Sequence, residues 1–148
     1  MVFWRAYYHL IWATKDRHPL ITADLESKLH PYIVGKAQSL DCVVHAIGGV
    51  ADHIHLVVSV PPKLAMADFV QGIKGSSAHF ANHDLGFADK AFAWQRGYGL
   101  LTLGGKQLDT AVAYVQGQKT HHNQGTAIAA LEQTEEEDEH AVRNKLRA

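Results

Sequence analysis

The sequence predicts an α+β domain: an antiparallel sheet of the ferredoxin-like, split β-α-β kind, with helices on one face. Three observations carry this. Strand-like and helix-like stretches follow one another as β-α-β-β-α-β before the chain turns wholly helical. Residues 52–58, Asp-His-Ile-His-Leu-Val-Val, alternate polar and apolar as a half-buried strand does. The stretch before them is close enough to pair with them as a hairpin.

Phe3 to Lys15 is rich in aromatic and β-branched residues and reads as the first strand. Lys15-Asp16-Arg17-His18-Pro19 is a polar turn. Thr22 and Asp24 open a helix whose apolar residues Leu25, Leu29, Ile33 and Ala37 recur every fourth position. Pro31 sits inside it and predicts a kink or a late start. Asp41 to Val50 is the second strand, and Gly48-Gly49 marks a bulge or turn before the histidine strand. Pro61-Pro62 ends that strand. Leu64 to about Asn82 is the second helix, interrupted by Lys74-Gly75-Ser76-Ser77, and Tyr98 to Leu103 is the fourth strand. Gly104-Gly105 leads into a third helix, Lys106 to about His122. Ala127 to Arg147 is helical in propensity but dominated by charge.

With 148 residues and 47% hydrophobic content, one domain with a proper core is expected. No apolar run reaches transmembrane length, and residues 1–5 lack the shape of a signal peptide. Cys42 is the only cysteine, so no internal disulfide can form, and a cytoplasmic setting is expected. The net charge of −1 points away from nucleic acid, but it is unevenly spread. Residues 126–148 hold six acids and three bases. Residues 1–125 hold 11 bases and nine acids, and that balance no longer excludes DNA.

Two constellations carry chemistry. His53 and His55 share one face of their strand, roughly 7 Å apart along it, and Ile54, Leu56 and Val58 share the core face. Two imidazoles so placed either converge on a divalent ion or lie on a solvated face. On the third helix, Tyr114, Gln118 and His121 share a polar-aromatic face apart from the Leu108, Ala111, Val112, Val115 stripe. They are either solvent-facing or a nucleophile beside an amide ligand. Gly117 lies between Tyr114 and Gln118 as a weak point in the helix.

Asp52-His53-Ile54-His55 resembles the HUH motif (His, bulky hydrophobic, His). Tyr114-Val115-Gln116-Gly117-Gln118 resembles the Tyr-x-x-x-Gln helix of the single-tyrosine HUH transposases of the insertion-sequence 200/605 type. Tyr8-His9-Leu10-Ile11-Trp12-Ala13-Thr14-Lys15, Lys74-Gly75-Ser76-Ser77 and Trp94-Gln95-Arg96-Gly97-Tyr98-Gly99 resemble further signatures of these enzymes. Residues 1–125 are then the transposase domain and 126–148 an acidic C-terminal helix or tail.

The resemblance implies cleavage and rejoining of single-stranded DNA bearing hairpins. Tyr114 would be the nucleophile, forming a 5′-phosphotyrosine link, and His53, His55 and Gln118 would hold Mg²⁺ or Mn²⁺. Lys15, Arg17, Lys74, Ser76 and Arg96 are candidate DNA contacts. It also implies a homodimer in which one protomer's histidines work with the other's tyrosine helix, and the sequence is compatible with this, since the helices packed on Ile54, Leu56 and Val58 leave the histidine face uncovered. Two alternatives remain at this point: a repeat-associated transposase-like protein, and a ferredoxin-like nucleic-acid-binding protein without catalysis.

Overall fold

The computed structural model describes residues 2–134. Strands β1 (Tyr7–Ala13), β2 (Val43–Val50), β3 (His53–Ser59) and β4 (Gly99–Leu103) form one open antiparallel sheet in the order β2-β3-β1-β4. β3 lies between β1 and β2, as a split β-α-β unit requires. Helices α1 (Ala23–Ser39) and α2 (Met66–His79) pack on one face. Helices α3 (Leu108–Gln116) and α4 (Gln118–Gln124) lie on the other, against β2 and β3.

The Thr22 side chain caps α1, its oxygen accepting from the Leu25 N–H at 3.2 Å. The four-residue stripe is buried as its spacing requires. Leu25, Leu29, Ile33 and Ala37 meet Leu10 and Trp12 of β1 and Ile54, Leu56 and Val58 of β3. Each large apolar side chain buried there stabilises the fold by about 2 kcal/mol. The kink expected at Pro31 is absent, and α1 runs unbroken through it. Proline removes one hydrogen bond there, to the Ser27 carbonyl, on the exposed side of a helix held by buried Leu29 and Ile33. α2 likewise runs through Lys74-Gly75-Ser76-Ser77 and passes into a π-helical turn, Phe80–Asp84.

Three local expectations are corrected. Gly48 and Gly49 form no bulge or turn; they lie within β2, opposite His55 and Ile54, and the register shift falls between Val44 and Ala46. What needs glycine at 48 is the layer above, because a Cβ there would drive into the Val115 carbonyl of α3. The third helix is not continuous. After a 3₁₀ turn at Gly105–Gln107 it breaks at Gly117 (φ −92°, ψ 14°) into α3 and α4. Nor is the histidine face of the sheet open: Ala111 and Val115 of α3 pack on Ala46 and Val57, closing a second small core on that side.

Residues 126–134 are not the expected peripheral helix. Apart from a 3₁₀ turn at Ala129–Leu131, they run back over the sheet. The Gln133 carbonyl abuts Gly99 so closely that a Cβ would collide with it, and Arg17 Nη2 donates to Thr134 Oγ1 at 3.2 Å. The rest of the acidic tail, 135–148, lies outside the described residues. Among the described residues no helix is long and apolar enough to cross a membrane.

Candidate functional site

The pleat of β3 sends His53 and His55 to the α3/α4 side, where both are buried. Each ring is fixed from behind through Nδ1. His53 Nδ1 lies 2.6 Å from Asp52 Oδ1, and His55 Nδ1 lies 2.8 Å from His9 Nε2 on the neighbouring strand. Both Nε2 atoms therefore face the same space. Such partners on the far nitrogen set the tautomer and aim of a metal-ligating imidazole.

The break at Gly117 delivers the other half of the site. Tyr114, in the last turn of α3, is 6% exposed, and Gln118, first in α4, is 1% exposed. Gln118 Oε1 is 3.4 Å from His53 Nε2 and 3.0 Å from His122 Nε2. The Tyr114 ring stacks on His121 at 4.6 Å and stands 6.0 Å from His55. A Cβ at Gly117 would lie 3.2 Å from the His121 ring nitrogen, so glycine gives that stacked ring its room.

Glu132 occupies the centre. Its Oε2 lies 2.8 Å from His55 Nε2 and 3.0 Å from His53 Nε2. Its Oε1 accepts from the Tyr114 hydroxyl at 2.5 Å and from Gln118 Nε2 at 3.2 Å. The Tyr114 oxygen in turn accepts from the Ile128 N–H at 2.9 Å. The chain that follows α4 thus holds this hydroxyl at two points, Glu132 and Ile128.

These contacts set the charges. Burial alone would lower the pKa of His53, but the Asp52 and Glu132 carboxylates beside it outweigh burial and push it up to about 9. Burial pushes the Tyr114 phenol up to about 12, and its hydrogen bond to Glu132 adds to this. Burial works to raise the Glu132 carboxyl, yet hydrogen bonds from His53, His55 and Tyr114 hold it well below the usual carboxylate range. At neutral pH the site is an imidazolium between two carboxylates, with a neutral phenol alongside. The donors suit a hard or borderline divalent ion: imidazole nitrogens, an amide oxygen and a carboxylate. Among the described residues, His53, His122 and Glu132 bring ligand atoms within 4.8 Å of one another.

His9, fully buried behind His55, is lowered to about 4, chiefly by burial. Its Nδ1 has no hydrogen-bond partner among the described residues. Above pH 6.5 it is neutral in both the folded and unfolded states. As pH falls further, the unfolded chain takes up a proton that the folded one refuses until about 4. Stability from His9 is therefore present above 6.5 and lost between 6.5 and 4, by on the order of 3 kcal/mol. Urea unfolding at pH 7 and pH 4 is expected to show a larger acid loss for the parent than for His9→Gln. Equal losses would remove His9 as the cause.

The candidate DNA contacts gather at the end of β1, where Ala13 pairs with His53. Lys15 and Arg17 are exposed on the turn after β1, and the Lys15 N–H donates to the Ala93 carbonyl, which brings the Arg96 loop alongside. Lys74 Nζ donates to the Gln95 and Gly97 carbonyls at 2.7 and 2.8 Å, clasping the loop on either side of exposed Arg96. Ser76 is half-buried, and its hydroxyl donates back to the Gly72 carbonyl of its own helix at 2.8 Å.

The sequence assigns no role to three residues of the site. His122 stands in the stretch that resembles the tyrosine helix and follows Gln118 at helical spacing. His9 carried a weaker signal, a lone histidine on an otherwise apolar strand. Glu132 carried none, since one acid before an acidic run has no spacing that marks it.

Residues 2–118 match the family model described as transposase IS200 like. The ISDra2 transposase TnpA of Deinococcus radiodurans is 35% identical over 71 residues, 48% of this chain and 51% of that protein, so the match spans about half of that relative's length. The transposase for insertion sequence element IS200 of Salmonella typhimurium is 24% identical over 106 residues, 68% of this chain and 69% of that one. Among solved structures, the 1.90 Å crystal structure of a Deinococcus radiodurans R1 protein assigned as a transposase superposes with a TM-score of 0.61. It is 25% identical and covers 80% of this chain and 95% of its own. The REP-associated tyrosine transposase bound to a REP hairpin superposes equally well, at 0.61, over 82% of this chain and 74% of its own. At 15% identity that is a likeness of fold.

Proposed function

The chain belongs to the IS200-like transposase family, and from that premise we propose that it cleaves and rejoins single-stranded DNA at hairpin-marked ends through a 5′-phosphotyrosine intermediate. The observation that supports this most is the meeting of Tyr114 with the two histidines: one carboxylate, Glu132, touches the Tyr114 hydroxyl, His53 and His55 at 2.5 to 3.0 Å. A group that small spanning all three means that one phosphate could do the same.

In this reading the Tyr114 oxygen attacks the scissile phosphorus in line. The new bond joins phosphorus to the phenol oxygen, and the bond from phosphorus to the 3′-oxygen breaks. The phenolic proton passes to solvent through the Glu132 carboxylate that the hydroxyl faces, and the 3′-oxygen takes one proton from solvent and leaves as a hydroxyl, so protons balance. The bond energy is conserved in the tyrosine link, so the reverse attack by a 3′-hydroxyl rejoins strands without a nucleotide cofactor. His53, His55 and Gln118 would hold a divalent cation, Mg²⁺ or Mn²⁺, and it would supply charge to offset that growing on the phosphate. Lys15, Arg17 and Arg96, near the His53 end of β1, guide the backbone of the strand, Lys74 fixes the loop that carries Arg96, and Ser76 serves through its helix. Residues 126–134 must shift before DNA reaches Tyr114, because Glu132 and Ile128 both hold its hydroxyl.

Incubation with labelled hairpin DNA from the flanks of its own reading frame, in Mn²⁺, tests this. A protein-linked fragment on a denaturing gel is expected. Binding without any linked or cleaved product would leave a nucleic-acid-binding module.

The reading includes a homodimer with shared sites. The contact made here within one chain is the contact a swapped helix would make in its partner, with hinges at Gly104-Gly105 and Gly125. Two inactive homodimers, His53→Ala and Tyr114→Phe, unfolded and refolded together, are then expected to regain activity. With sites built in trans, a mixed dimer holds one intact site and one doubly defective site. Mixed dimers confirmed by mass but inactive would mean that each chain serves its own site.

A further inference from the structure

We infer that Glu132 and His122 are metal ligands, forming with His53 and Gln118 a four-donor site that the protein uses before DNA arrives, while His55 Nε2 stays on Glu132 Oε2 until DNA displaces that carboxylate. The inference rests on the proposed reading that a divalent ion works at His53, and it assigns a role to two side chains outside the tyrosine helix motif and the histidine pair.

The donor atoms form a closed ring. His53 Nε2 to Gln118 Oε1 is 3.4 Å, and Gln118 Oε1 to His122 Nε2 is 3.0 Å. His122 Nε2 to Glu132 Oε1 is 3.4 Å, and Glu132 Oε2 to His53 Nε2 is 3.0 Å. Neighbouring ligands in an octahedral site with bonds of about 2.1 Å stand about 3 Å apart. The ring therefore has the size that a small divalent ion requires.

The donors are held by independent parts of the fold. Asp52 fixes the His53 ring from behind. Gln118 and His122 lie one turn apart on α4, so a single helix face presents both. Glu132 arrives from the segment after α4, which is anchored by Ile128 on Tyr114 and by Thr134 on Arg17. The chemistry fits as well. Two imidazoles and an amide are neutral ligands, and the carboxylate adds the one negative charge, which raises affinity for a dication. Two imidazole nitrogens in the set favour Mn²⁺ over Mg²⁺, a hard cation that takes oxygen ligands. Because Glu132 Oε1 also holds the Tyr114 hydroxyl, exchange of this carboxylate for a DNA phosphate would free the nucleophile as the phosphate takes its place.

The test is Mn²⁺ titration of the full chain by calorimetry without DNA, for the parent, Glu132→Gln, His122→Asn and His53→Ala, with thermal melting to confirm that each is folded. Glu132→Gln and His122→Asn are each expected to weaken Mn²⁺ binding at least about tenfold, since loss of even an outer-shell partner commonly costs that much. If both stay within about twofold of the parent while His53→Ala abolishes binding, the ion sits at the histidine strand without them and the inference fails alone. If the parent binds no Mn²⁺, or His53→Ala binds as the parent does, the inference fails together with the reading beneath it. The two substitutions lie on separate segments, so a folding defect in one leaves the other to decide.

Discussion

Tyr114→Phe is expected to abolish the covalent protein–DNA product completely and to leave hairpin binding nearly unchanged. Only one oxygen is lost. The ring that remains still stacks on His121 and still fills the space beside His55 and His9. The hydroxyl's hydrogen bonds to Glu132 and Ile128 disappear, at a cost of about 1 to 2 kcal/mol. That loss loosens the segment over the site and weakens no DNA contact. Cleavage by any residual route should fall by at least about 10³-fold, because no other group replaces the nucleophile. A denaturing gel with labelled hairpin DNA reads both the adduct and the cleaved strand. A persistent adduct would take Tyr114 out of the mechanism.

His53→Ala carries the second large effect: loss of Mn²⁺-dependent cleavage by at least about 10²-fold, with His55→Ala close behind. His53 is tied at both ends, to Asp52 and to Glu132, so its removal takes away a donor atom and also the partner of two carboxylates. Gln118→Ala should lose less, since water can replace a neutral amide oxygen. The same residue sets a pH dependence with a definite sign. An imidazole ligates only through an unprotonated nitrogen, and the His53 ring holds its proton up to about pH 9. Apparent Mn²⁺ affinity should therefore climb as pH rises toward 9 and level off above it. Titrations at pH 6.5, 8 and 9.5 read that climb, and a flat profile would place the ion on other donors. If all three variants cleave like the parent, the histidines are only structural.

The sheet and its first helix were legible because both rest on short-range periodicity. The alternation at 53–58 put His53 and His55 on one face and Ile54, Leu56 and Val58 on the other, as found. The stripe Leu25, Leu29, Ile33, Ala37 named the buried face of α1. Periodicity could not show what covers a face from a distance. Gly48-Gly49 looked like turn residues, yet the demand for glycine at 48 comes from the Val115 carbonyl, 67 residues along the chain. Gly117 was noted as a weak point in one helix, and the break it makes sets Tyr114 and Gln118 at the histidines.

The site was legible in the same uneven way. Tyr114, Gln118, His53 and His55 fell into recognisable spacings, and the structure brings all four together. Glu132 comes from a stretch whose charge suggested a solvated tail. Its burial follows from a tertiary path over β1 and β4 that no local pattern encodes. Lys74 stands among the candidate DNA contacts in the sequence. Its ammonium is instead bound to two loop carbonyls, on either side of Arg96.

The most direct test of the central claim is mass spectrometry of the protease-digested adduct formed on hairpin DNA in Mn²⁺. The account predicts a single modified peptide, with a nucleotide joined through its 5′-phosphate to Tyr114 and a free 3′-hydroxyl on the released strand. A link at any other residue, or a phosphate left on the 3′ side, would contradict it.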